Sequence, residues 1–347
     1  MDRHQLDAFT ALHRLPPPAI AAALALTGQT PDTSAWRAFA ATLLRAAGLG
    51  ALGAGILFFV AANWQDYGVL GRFVLLQGAL LASVVVALWK PPPQPLGQSA
   101  LVLATLLTGA LLALFGQSYQ TGADVHELFF TWALLALPFA LAGLSGALWA
   151  VWWSVLNVGL ALLCGWLGTE HAVWRLIDGR GFGHATLLML PCVVNLLAAA
   201  GFLALRRTRF TAVAPLWLPR FLASLGVLYG TLATLTVVTG STWRGDVAPL
   251  LVEGRAVVLG FTALCAVIGV ATWRDKRDVF PMALLAASWI AISTTWLVRL
   301  MRLNDVGALF MIAIWLIATS TATGLLLMHW SRTWQAAGAP RNEGASA

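Results

Sequence analysis

Polar residues fall along this chain at intervals, and between them lie ten runs of about 17 to 24 mostly apolar residues. Each run is long enough to lift a helix through the roughly 30 Å of hydrocarbon in a bilayer. The runs predict ten transmembrane helices: Leu43–Ala62, Leu70–Trp89, Ser99–Gly116, Leu128–Leu144, Leu148–Leu167, His184–Leu205, Phe221–Gly240, Ala256–Thr272, Val279–Val298 and Val306–His329. The predicted fold class is therefore all-α, a polytopic transmembrane helical bundle. The connection between the fourth and fifth runs is only Ser145, Gly146 and Ala147, so a single re-entrant element is the alternative there. On this division residues 1–42 form a short cytoplasmic N-terminal segment, 43–329 the multi-pass domain and 330–347 a cytoplasmic disordered tail.

Composition agrees with a chain solvated by lipid. Of 347 residues 59% are hydrophobic and 10% charged, with a mean hydropathy of +0.80. The N-terminal stretch MDRHQLDAFTALHRL has the pattern of a short amphipathic helix, and Pro16, Pro17 and Pro18 break any continuation. It has no charged, apolar and small-residue succession of a signal peptide. A second helical piece is expected to begin after Thr33 or Ser34 and to run towards the first span.

The formal net charge of +7 changes the picture through its distribution. With the N-terminus inside, the inner loops and termini carry twice as many Lys and Arg as the outer ones. That bias places both termini in the cytoplasm. No basic run is interleaved with aromatics in a nucleic-acid-binding motif, so nucleic acid is excluded as a partner. Trp64, Trp89, Trp149, Trp166, Trp273 and Trp330 fall at the predicted membrane boundaries, where an indole buries its ring and keeps its N–H wet.

Catalytic chemistry has little support. There is no HExxH, no GK[ST] phosphate loop and no GxSxG elbow. Cys164, Cys192 and Cys265 lie singly in apolar spans and read as packed free thiols. No buried carboxylate offers a proton relay. Gln77, Asn157 and Asn195 are the deepest amides, and Pro138, Pro191 and Pro281 are positioned to free backbone carbonyls within spans; interhelical hydrogen bonding is the leading reading, a transport path the second. Gly48, Gly50, Gly53 and Gly55 give the first span a surface on which another helix can pack closely.

Two polar segments stand out at the predicted outer ends of spans one and three. Asn63, Trp64, Gln65, Asp66 and Tyr67 form the first; Gln117, Tyr119, Gln120, Thr121, Asp124, His126 and Glu127 form the second, with Gly122 available for a tight turn. Their amides, phenols and carboxylates suit either a hydrogen-bonded site for a polar headgroup, sugar or peptide, or structural bonding between helix ends. The acids and His126 do not have a recurrent metal-ligand spacing, so no metal and no cofactor is expected.

The same segments carry a resemblance. Gly55 to Trp64, GILFFVAANW, resembles the glycine-rich, FFxAANW-type end of the first span in the bacterial membrane proteins grouped as domain of unknown function family 2157. The run GQSYQTGAD from Gly116 to Asp124 is similar to that family's GQxYQTGAD segment, and Leu128, Phe129, Phe130, Trp132 and Pro138 follow in matching order. The resemblance covers about the first 40% of the chain and implies a bacterial multi-pass inner-membrane protein, with no established reaction to transfer. Membrane lipids, and a protein partner or a second copy of the chain, are the expected associates. The leading expectation is a non-enzymatic envelope or partner-complex component, with a small-molecule or lipid transporter as the alternative.

Overall fold

The computed structural model describes residues 16–26, 32–62, 66–119, 122, 124–165, 185–206, 213–240, 248–275, 278–301 and 306–338. Among these residues the regular structure is helical throughout: α1 (Pro17–Leu26), α2 (Thr33–Ala62), α3 (Val69–Trp89), α4 (Pro95–Tyr119), α5 (Val125–Ala142), α6 (Gly146–Leu163), α7 (Ala185–Arg206), α8 (Trp217–Gly240), α9 (Ala248–Asp275), α10 (Phe280–Met301) and α11 (Val306–Gly338). From α2 to α11, ten helices are long and apolar enough to cross a membrane. Lipid supplies no hydrogen-bond partners for a peptide group, so an apolar run of this length must satisfy its own backbone as a helix.

Local sequence sets the helix ends. Asp32 caps α2, accepting hydrogen bonds from the Ala35 N–H at 2.7 Å and the Ser34 hydroxyl at 2.8 Å. The run Pro91–Pro92–Pro93 stops α3, and Pro95 opens α4 at the position where its missing N–H costs nothing. Gly97 is required there: a Cβ would lie 1.9 Å from the Lys90 carbonyl oxygen. Leu144, at φ +46°, turns the chain between α5 and α6, both of 18 residues and each rising about 27 Å. The fourth and fifth spans are thus two separate helices.

Helix and apolar run do not end together. The helix α2 is continuous from Thr33 and includes ten residues that the hydropathy pattern set before the first span. At the other end α11 passes His329 and continues to Gly338, so residues 330–338 are helical where a tail was expected. Hydropathy marks where lipid stops, whereas helix continues as long as the flanking residues hydrogen-bond along the axis.

The chain divides into two compact units, residues 1–114 and 115–347. In the first, Leu76, Leu103, Leu107 and Leu114 form a core with Leu49, Ile56 and Phe73 against it. Of the α2 glycines, Gly53 is buried and a Cβ there would lie 3.7 Å from Leu103, while a Cβ at Gly48, Gly50 or Gly55 would meet nothing within 4 Å. The expected glycine packing surface is therefore used at one position. A cavity of about 380 Å³ lies between α2 and α3, lined by Ala51, Leu52, Gly55, Ile56, Phe59, Leu75 and Ala79.

In the second unit α8 is central, packing on α7, α9 and α10. Two glycines one turn apart make this possible. A Cβ at Gly226 would lie 2.7 Å from Leu196 on α7, and one at Gly230 would lie 2.2 Å from the Phe261 ring on α9 and 3.0 Å from Cys192 Sγ. Close backbone approach of this kind supplies the van der Waals contact that association in lipid needs, since lipid tails give no hydrophobic drive. Cys164, Cys192, Leu188, Val227, Tyr229, Ala233, Val257 and Phe261 belong to the resulting core. The three cysteines, far apart in sequence, are free thiols gathered in or against it.

Candidate functional site

The second polar segment begins on the last turn of α4. Gln117 and Tyr119 are exposed, and Tyr119 leans on Phe115 one turn earlier with ring centroids 4.9 Å apart. Between them the Ser118 Oγ is buried and has no hydrogen-bond partner among the described residues. Gly122 has φ +66°, a conformation that a side chain disfavours. Its glycine is explained by the turn that the sequence anticipated there. Gln120 and Thr121 lie outside the described residues.

Asp124 then occupies the cap position of α5 in an extended conformation, and its carboxylate makes no cap hydrogen bond. The Glu127 N–H donates to the Asp124 carbonyl at 3.0 Å. His126 is half-buried, edge-on to Phe130 at 6.0 Å, while Asp124 and Glu127 are exposed. One ligand atom from each of Asp124, His126 and Glu127 lies within 4.8 Å of the others. All three come from four consecutive residues at one helix start, where carboxylates interact favourably with the positive end of the helix dipole. That accounts for both acids without an ion. The arrangement presents a wet, hydrogen-bonding, net acidic surface suited to accepting bonds from a partner's donors.

The first polar segment is partly described. Asp66 is exposed and Tyr67 half-buried. The Tyr67 ring lies 6.2 Å from Phe59 and packs over Gly71, whose position would place a Cβ 3.4 Å from the ring. Tyr67 therefore has a packing role at the start of α3. Asn63, Trp64 and Gln65 lie outside the described residues. Asp66 and Tyr67 belong to the first unit; Gln117, Tyr119, Asp124, His126 and Glu127 belong to the second.

The interior amides have a clearer geometry. Asn157 on α6 and Asn195 on α7 form a reciprocal pair, Nδ2 to Oδ1 at 3.0 Å in one direction and 2.7 Å in the other. The second amide hydrogen of each returns to its own helix, to the Trp153 carbonyl at 2.8 Å and the Pro191 carbonyl at 2.8 Å. Tyr229 on α8 donates from its hydroxyl to the Asn157 carbonyl at 3.0 Å. Three helices are thus joined by groups that satisfy one another. Pro191 lacks the N–H that would reach the Leu187 carbonyl, and Cys164 Sγ donates to that carbonyl at 3.6 Å. Gln77, in contrast, is exposed on α3.

Other interhelical ties carried weaker sequence signals. Thr231 and Ser288 share a hydrogen bond of 2.7 Å between α8 and α10. Arg220, at the start of α8, donates to the two Asp278 carboxylate oxygens from Nη2 at 2.9 Å and Nε at 3.0 Å and lies over the Phe280 ring. Asp278 also accepts from the Phe280 N–H at 3.0 Å, capping α10. At the opposite ends of these two helices Arg299 donates to the Thr239 carbonyl. The Gly226-x-x-x-Gly230 spacing is a helix-packing signal that was not among the expectations, which rested on the α2 glycines; Arg220 and Asp278 are 58 residues apart, and no pattern within either helix pairs them.

Fold and site together define a polytopic helical membrane protein whose interior polar groups serve helix contact. Residues 7–149 match the family model described as Predicted membrane protein (DUF2157), so the resemblance to family 2157 holds for the N-terminal part of the chain, through α5 and into the start of α6. No curated protein and no solved structure matches the chain.

Proposed function

We propose that this protein is a non-enzymatic component of a bacterial inner membrane, with both termini cytoplasmic, that works as part of a protein complex through its outer polar segment. The observation that carries the reading is the closed pairing of Asn157, Asn195 and Tyr229. A solute path needs polar groups with bonding capacity to spare, and these amides spend theirs on one another and on their own helices. The exposed groups at the start of α5, by contrast, face outward with capacity to accept hydrogen bonds, as a partner-binding edge requires.

One observation favours a lipid-handling role instead: the cavity between α2 and α3 is lined by apolar side chains and Gly55. Two measurements separate the readings. A photo-crosslinking amino acid introduced at Tyr119 in native membranes is expected to trap a discrete protein adduct that weakens when Asp124 and Glu127 become Asn and Gln. Purified protein in vesicles is expected to leave a fluorescent phospholipid in its original leaflet. Movement of that lipid, abolished by filling the cavity with Gly55→Leu, would overturn the proposal and establish lipid handling.

A further inference from the structure

Three tryptophans meet where α9 and α11 end. Trp330 and Trp334, one turn apart on α11, are nearly parallel at 7° with centroids 6.3 Å apart. Trp273 on α9 stands edge-on to both, at 5.5 and 5.9 Å. The apolar windows of these helices close at Arg274 and Trp334, so all three indoles lie in their final turns. The α11 window has 28 residues and rises about 42 Å, which exceeds the hydrocarbon and matches hydrocarbon plus headgroups. By length and composition the cluster is placed at headgroup depth, on the side to which the basic residues are assigned.

Its polar capacity is unspent. Trp273 is 47% exposed, and none of the three indole N–H groups donates to a described residue. Arg274, adjoining Trp273, is exposed and forms no ion pair among the described residues. The nearby Asp278 is occupied by Arg220. Arg332 is also exposed, but it stands two residues from both Trp330 and Trp334 and so projects from the opposite side of α11. An exposed guanidinium one residue from Trp273, without an ion pair among the described residues, and three indole donors at the same helix ends together complement a phosphodiester that carries net negative charge.

We propose that Trp273, Trp330, Trp334 and Arg274 form a binding site for the headgroup of an anionic phospholipid. The phosphate accepts from Arg274 and from indole N–H groups, while the glycerol region rests against the exposed Trp273 ring. The site fixes the ends of α9 and α11 to the membrane surface and makes their association sensitive to lipid charge.

Native mass spectrometry of the detergent-solubilised full chain, titrated with phosphatidylglycerol or with phosphatidylcholine of the same acyl composition, tests this. Phosphatidylglycerol is expected to bind more tightly. Arg274→Gln is expected to weaken its binding about fivefold, the effect of one basic residue at a membrane surface, and Trp273→Phe to weaken it through loss of the N–H with the ring kept. Arg332→Gln, which removes the same charge from the far side of α11, is expected to leave binding unchanged. Equal affinity for the two lipids would overturn the site. So would equal losses in Arg274→Gln and Arg332→Gln, which would reduce the effect to overall charge. Both arginines are exposed, so neither change threatens folding.

Discussion

Replacing Asn157 or Asn195 by leucine, which is close to asparagine in shape, tests whether the interior amides hold the bundle together. Either single change removes both bonds of the reciprocal pair and leaves the surviving amide with only the bond to its own helix, to Trp153 or to Pro191. Interhelical hydrogen bonds in membranes are worth about 0.6 kcal/mol each on average and up to about 1.7, and an orphaned buried polar group costs about 1–3 kcal/mol. Each single variant should therefore lose about 2–4 kcal/mol. The double variant orphans nothing and should lose only what the two bonds supply, about 1–3 kcal/mol, well short of the sum of the singles, with a coupling of about 3 kcal/mol. In a background with Cys164 and Cys265 replaced by Ala, the buried thiol of Cys192, 0% exposed, provides the assay: maleimide labelling during titration with a denaturing detergent reports opening of the α7–α8 core. Additive losses, with the double variant equal to the sum of the singles, would refute the pairing.

Gly230→Ala is expected to destabilise the same core by about 1–3 kcal/mol, because its Cβ would enter the Phe261 ring and crowd Cys192; the labelling midpoint should fall accordingly. Asp278→Ala and Arg220→Ala should each cost about 1–2 kcal/mol: both lose a bridge whose side chains are 39% and 27% exposed and worth about 1 kcal/mol or less, the former also the cap on Phe280, about 1 kcal/mol, and the latter the contact with the Phe280 ring, about 0.5–1 kcal/mol; thermal unfolding of the two variants at low and high salt checks that only the shared bridge is screened. The Ala35 N–H and then the Ser34 hydroxyl hold the Asp32 carboxyl below the ordinary carboxylate range. Its charged form is favoured by the folded helix start, so the cap is complete above the ordinary carboxylate pKa and is lost as pH falls through the lowered value. Carboxyl carbon NMR of Asp-labelled protein should show Asp32 titrating below its unfolded value, and titration at that value would refute the cap.

Membrane residence, helix class and the number of helices long and apolar enough to cross were legible in the sequence because each depends on one segment at a time. A run such as Leu70–Trp89 must satisfy its own backbone in lipid whatever surrounds it. The Gly122 turn was equally local, since the conformation is imposed by the residue itself. Helix length was legible at one end and not at the other: the start of α2 at Thr33 was expected, whereas α11 extends beyond its apolar run because polar residues such as Arg332 remain good helix formers. Tertiary structure decided the partners. Asn157 and Asn195 were visible as buried amides, but only the packing of α6 on α7 made them a pair, and only α8 brought Tyr229 to join them. Four glycines in α2 advertised a packing surface and one is used, whereas Gly226 and Gly230 admit α7 and α9 to the centre of the second unit. Hydropathy is a property of a single helix facing lipid; hydrogen-bond pairing and backbone approach are properties of two helices, and their choice depends on shapes that no single run contains.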